Sequence, residues 1–326
     1  MASIPPDPPI VDRTPEPETT APTRSLDSTP MRPPILYGPN GLRPGWGILL
    51  FLCILFALGF LANSEARSLA LHFHQSPPGQ KGGEFHPTLM VLVESGLLLA
   101  VLLATAAMAR LEHRRTASYG LAGTDRLRQF LIGLVSGFGF LSLLIAILAG
   151  THRLDLTRSP IHGWRAFGYA AAWGVCFLLV ALTEELMLRG YLLFTLARGI
   201  RFWPAAVLLA AMFGLLHKGN AGESPFGLVA AALVALVFSL SLWRLGHLWW
   251  AIGFHAAWDW AESFFYGTAD SGTVSAGRLM HAHPTGSLLA SGGLTGPEGS
   301  VWIVPILILA ALFVWSTQPK SAAHFR

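Results

Sequence analysis

The chain has 326 residues, of which 52% are hydrophobic and only 12% charged, with a mean hydropathy of +0.51. Soluble domains carry about twice that share of charge, so a water-soluble fold is excluded and lipid must cover the apolar surface. The net charge of +4 does not point to nucleic acid, because the basic residues sit in short segments between apolar runs.

Residues 1–45 hold 12 of the 22 prolines, interspersed with Ser, Thr, Asp and Glu. Such a segment buries too little apolar surface to offset the entropy of ordering, so it reads as a disordered cytoplasmic tail. It lacks the charged-then-apolar start of a signal peptide, so the first span is expected to be the first insertion signal. About eight spans follow, making an all-α polytopic transmembrane bundle over residues 46–316, with a short tail at 317–326. Expected spans are Trp46–Asn63, Thr88–Ala109, Phe130–Gly150, Ala166–Thr183 running on toward Arg198, Pro204–Lys218, Pro225–Trp243, Leu245–Phe265 and Val301–Ser316. With the N-terminus inside, 15 of the 22 Lys and Arg fall on the cytoplasmic side, led by Arg110, Arg114, Arg115, Arg126 and Arg128. The expectation is a multi-pass protein of the bacterial inner (plasma) membrane with both termini cytoplasmic. The Gly- and Ser-rich stretch Tyr266–Ser300 reads as a flexible external loop. Cys53 and Cys176 each lie in an apolar run and read as fillers rather than a disulfide or metal pair.

Charges inside apolar helices are costly and each needs a reason. Glu184 and Glu185 follow a long uncharged run, and Glu185 and Arg189 are spaced to pair on one helix face. Glu184 lies about 100° round the helix and is left without that partner. A carboxylate lacking a counter-ion is the kind of group that can take a proton, as a general base must; a wet helix end would explain it equally well. Phe213-x-x-x-His217 and His255-x-x-x-Asp259 each place two residues on one face of a later span. Glu184 and His217 are nearly equidistant from a turn expected at Gly199–Arg201, so an antiparallel hairpin would bring them to one depth. His255 would enter from the same side. Trp249, Trp250, Trp258 and Trp260 read as packing or interfacial anchors. Glu94, His72-x-His74 and His281-x-His283 carry no assignment.

These three motifs in order, Glu-Glu-x-x-x-Arg, Phe-x-x-x-His and His-x-x-x-Asp, resemble the CPBP family of intramembrane proteases, which includes the type II CAAX prenyl endopeptidases and bacteriocin-processing proteins. The resemblance covers about residues 160–265. It implies an endopeptidase that cuts a membrane-associated protein or a peptide, with the bilayer as its other partner and no nucleic acid. By the same resemblance Glu184 is the base that activates water, aided by His217, while His255 and Asp259 stabilise the oxyanion. Glu185, Arg189 and Phe213 are supporting residues. Family members commonly carry Asn where this chain has Asp259, and an ionised Asp cannot donate a hydrogen bond. Asp259 therefore has to be protonated, hold His255 as the donor, or bind a metal. The scheme without a cofactor is preferred; the alternative is zinc held by Glu184, His217, His255 and Asp259. Two other functions compete: a non-catalytic membrane scaffold that retains the fold, and a transporter using the carboxylates as a proton relay.

Overall fold

In a computed structural model, residues 35–38, 41–72 and 86–318 are described. Most of the expected Pro-rich tail, His74 of the 72–74 histidine pair and most of the C-terminal tail lie outside them. At the tail's end, β1 (Tyr37–Gly38) and β2 (Gly41–Leu42) pair antiparallel. The bundle then runs through α1 (Pro44–His72), α2 (Pro87–Leu111), α3 (Arg126–Gly150), β3 (Leu154–Arg158) and α4 (Gly163–Glu185). It continues through α5 (Leu193–Ile200), α6 (Phe202–Leu216), α7 (Pro225–Leu245), α8 (Trp249–Trp260), β4 (Met280–Pro284), α9 (Leu288–Ser291) and α10 (Ile303–Thr317). Among the described residues, six helical stretches are long and apolar enough to cross a membrane, and α8 and α10 are shorter apolar helices within the bundle. The protein is an all-α polytopic bundle. Its outer surface is lined by apolar side chains such as Phe56, Val135 and Leu312, as lipid requires.

The stretch Gly163–Ile200 is 38 residues long. A straight helix of that length would reach about 57 Å, nearly twice the hydrocarbon thickness. It is broken instead: a π-helical segment, Leu186–Leu192, separates α4 from α5, and Gly190 departs from helical geometry with ψ −119°. The reversal between α5 and α6 falls on Arg201, at φ 69°. Gly199 stays inside α5.

Helix α8 is held hard against α3. A Cβ at Gly133 would collide with the Trp250 and Phe254 backbone, one at Gly137 with Phe254, and one at Gly253 with Phe130. Only glycine allows two backbones this close, the small-residue packing used between helices in lipid. The four-residue spacing of Gly133 and Gly137 puts both on the face toward α8.

The stretch 266–300, expected to be a flexible loop, is built. Its strand β4 pairs antiparallel with β3, with Asp155 opposite His283. Asn220, after α6, donates from Nδ2 to the Ser271 carbonyl at 2.9 Å, and Thr295 donates to the Gly222 carbonyl at 3.2 Å. The connections after α3, α6 and α8 therefore interlock at one end of the bundle. Gly and Ser density marked this stretch as irregular, but long-range pairing with β3 is not a local property and left no signal.

Candidate active site

The buried pair comes first because the other groups lean on it. Arg189 Nη1 donates to Glu185 Oε1 at 2.9 Å, with side chains 2% and 0% exposed. The π-helical segment begins between the two residues, yet they still meet. The guanidinium carbon lies 4.7 Å from the Phe213 ring centroid and 5.6 Å from that of Phe238. Two aromatic faces thus replace the water an arginine would otherwise hold. Phe213 also packs edge-on to His217, with centroids 4.6 Å apart, so the first two motifs interlock through one ring.

His255 joins the third motif to the first. Its Nδ1 lies 3.2 Å from Glu185 Oε1. Its Nε2 lies 3.4 Å from Asp259 Oδ2 and 3.6 Å from Glu184 Oε2. Carboxylates only accept, so an imidazole with N–H on both nitrogens satisfies this arrangement. Phe238, on α7, stacks on the His255 ring at 5.4 Å. Glu184 differs from its neighbour: its side chain is 28% exposed and opens into a cavity.

That cavity holds about 200 Å³ and is lined by Glu184, His217, His255 and Asp259 together. Half-buried His217 has its Nδ1 2.9 Å from the Phe213 carbonyl. A carbonyl cannot donate, so Nδ1 carries the hydrogen and Nε2 is left as an acceptor. The nearest imidazole contact of Glu184 is therefore His255, and His217 shares the cavity without bonding to it. Hairpin symmetry indicated depth along the helices but not their rotation.

Several cavity residues went unassigned in the sequence. Glu94 of α2 lines the cavity beside Glu184, and Phe238 forms the stack on His255. An intramembrane Glu was the available signal for the first; Phe238 is one phenylalanine among 20 and carried none. Asp270, Ser271, Thr273 and Glu298 roof the cavity from the 266–300 stretch. Trp258 is more than packing, since its Nε1 donates to Glu298 Oε1 at 2.8 Å. Burial, with Glu298 close by, pushes the Asp270 carboxyl up to about 7.

The zinc alternative can be set against the donor geometry. Among the described residues, the one group of three His, Cys, Asp or Glu donors lying within 4.8 Å of one another is Glu262, Asp270 and Glu298. Glu184, His217, His255 and Asp259 do not form such a group, and both nitrogens of His255 already face carboxylates.

The polytopic helical bundle thus encloses a carboxylate–imidazole cluster around a small polar cavity, an arrangement suited to acid–base chemistry. Within it, residues 166–261 match the family model described as Type II CAAX prenyl endopeptidase Rce1-like. The matched region contains all three motifs and spans less than a third of the chain. Neither the curated proteins nor the solved structures supply a match.

Proposed function

We propose that the protein is an intramembrane endopeptidase in which Glu184 activates a water molecule for attack on a peptide carbonyl. The observation that carries this reading is the contrast between two adjacent carboxylates. Glu185 is fully buried and committed to Arg189 and His255, whereas Glu184 opens into the cavity with an imidazole 3.6 Å away. In the proposed step, water gives a proton to Glu184 as its oxygen bonds to the carbonyl carbon. The N–H on Nε2 of His255 stabilises the oxyanion, and Asp259 and Glu185 orient the ring and favour its second proton. Collapse breaks the C–N bond, and the proton held by Glu184 passes to the leaving nitrogen. His217, with Nε2 as an acceptor, helps position the water. No step needs a metal.

Substrates of this site are segments of membrane-associated proteins or peptides that can be drawn extended into the cavity. In this reading, which the charge bias supports, both termini are cytoplasmic and the roof formed by Asp270, Ser271 and Glu298 faces the opposite side. The test is Glu184→Gln in proteoliposomes, assayed by mass spectrometry of membrane proteins against wild type. The amide cannot take a proton, and cleavage should fall roughly 10²–10⁴-fold while the protein stays folded. Wild-type turnover in this variant would end the glutamate mechanism; absence of turnover in the wild type itself would leave the scaffold reading.

A further inference from the structure

We propose that Glu262, Asp270 and Glu298 form a binding site for a hard divalent cation of the calcium or magnesium class, clamping the roof of the cavity to the end of α8. The three residues come from three separate segments. Glu262 lies in the π-helical turn Ala261–Phe265 that ends α8, Asp270 in the loop after it, and Glu298 in the 3-10 turn Pro297–Gly299 before α10. One carboxylate oxygen from each lies within 4.8 Å of the other two.

An acidic cluster alone would not identify a ligand; the state of Glu262 does. It is 0% exposed, and neither of its carboxylate oxygens accepts a hydrogen bond of sound geometry; the neighbouring Trp258 N–H is directed to Glu298 at 2.8 Å. Its neighbours have theirs: Ser263 donates to Asp270 at 3.0 Å, while Trp258 and Ser271 donate to Glu298 at 2.8 and 3.1 Å. None of the three forms an ion pair with Lys, Arg or His among the described residues. A buried carboxylate stripped of both water and partners is strongly disfavoured, and two more beside it add repulsion. A divalent cation removes both penalties at once. The donors are all oxygen, with neither imidazole nor thiolate in the set, which selects calcium or magnesium over zinc or copper. Gly296 brings the chain close to Glu262, and a Cβ there would lie 3.1 Å from its Oε1, so the loop closes directly over this carboxylate.

The competing account of the cluster is that its carboxylates share protons and hold no metal. The experiment uses the full chain in detergent micelles, stripped with EDTA and then dialysed. Calcium, magnesium or terbium is added, reading thermal unfolding and terbium emission excited through the Trp258 indole. Calcium or magnesium should raise the unfolding temperature saturably, on the order of 5 °C, and calcium should displace terbium. Glu262→Gln and Asp270→Asn should each weaken these responses at least about tenfold, because each removes an anionic ligand. Asp270 is half-buried, so that variant carries the test if Glu262→Gln fails to fold. No saturable shift or emission in wild type, or responses unchanged in the variants, would overturn the site in favour of shared protons. Neither readout depends on turnover, so the result is independent of whether Glu184 is a base.

Discussion

Arg189→Ala is the perturbation whose size the structure fixes best. The substitution deletes a cation that is 2% exposed and leaves Glu185, at 0%, with a single remaining partner, His255 Nδ1 at 3.2 Å. Removing one member of a buried pair typically costs about 3–5 kcal/mol, because the other charge stays buried. Loss of the contacts with Phe213 and Phe238 adds to this, while His255 offsets part of it, so the whole remains about 3–5 kcal/mol. For a chain of this size that corresponds to a fall in unfolding temperature on the order of 10 °C. Intrinsic tryptophan fluorescence on heating in detergent measures it, with Glu184→Gln as the comparison because that side chain is 28% exposed. Pairing Arg189→Met with Glu185→Gln removes both charges and should recover part of the loss. An Arg189→Ala protein melting within about 2 °C of wild type would refute the claim that a buried ion pair holds the first motif in place.

Two further predictions concern the chemistry and the orientation. Asp259→Asn should keep substantial proteolytic activity and be indifferent to a zinc-selective chelator, since Asn can itself donate a hydrogen bond; stoichiometric zinc in purified wild type, with activity lost to the chelator, would restore the metal scheme. Single cysteines at Ala21 and Ser287, with Cys53 and Cys176 replaced by Ala, should react with impermeant reagents from opposite faces; labelling from one face would overturn the orientation.

Much of the architecture was legible because membrane helices announce themselves by apolar runs: among the described residues, six long apolar stretches and the shorter α8 and α10 fall where those runs are. The candidate site was legible as spacing: Glu185 and Arg189 four apart, Phe213 and His217 four apart, His255 and Asp259 four apart. Side-chain direction across helices was not. The partnership of Glu184 with His255 rather than His217 depends on helix rotation, which the π-helical segment at Leu186–Leu192 and the reversal at Arg201 both alter. The 266–300 stretch was the larger miss. Its order comes from pairing with β3, more than a hundred residues earlier, and from polar contacts to Asn220 and Gly222, none of which shows as a local pattern.

The glycine contact between α3 and α8 bears on how a substrate can enter. Where helices meet through long side chains, rotamer changes let one slide or tilt against the other. At Gly133, Gly137 and Gly253 there is no side chain to rearrange, so the backbones of α3 and α8 behave as a single strut. His255 and Asp259 ride on that strut and belong to the fixed jaw of the cavity. Glu184 sits on the opposite jaw, in a helix that breaks into π geometry immediately after it and reverses again at Arg201. On the proposed mechanism, admission of an extended peptide would therefore fall to the α4–α5 side and to the roof, bringing Glu184 toward a stationary His255.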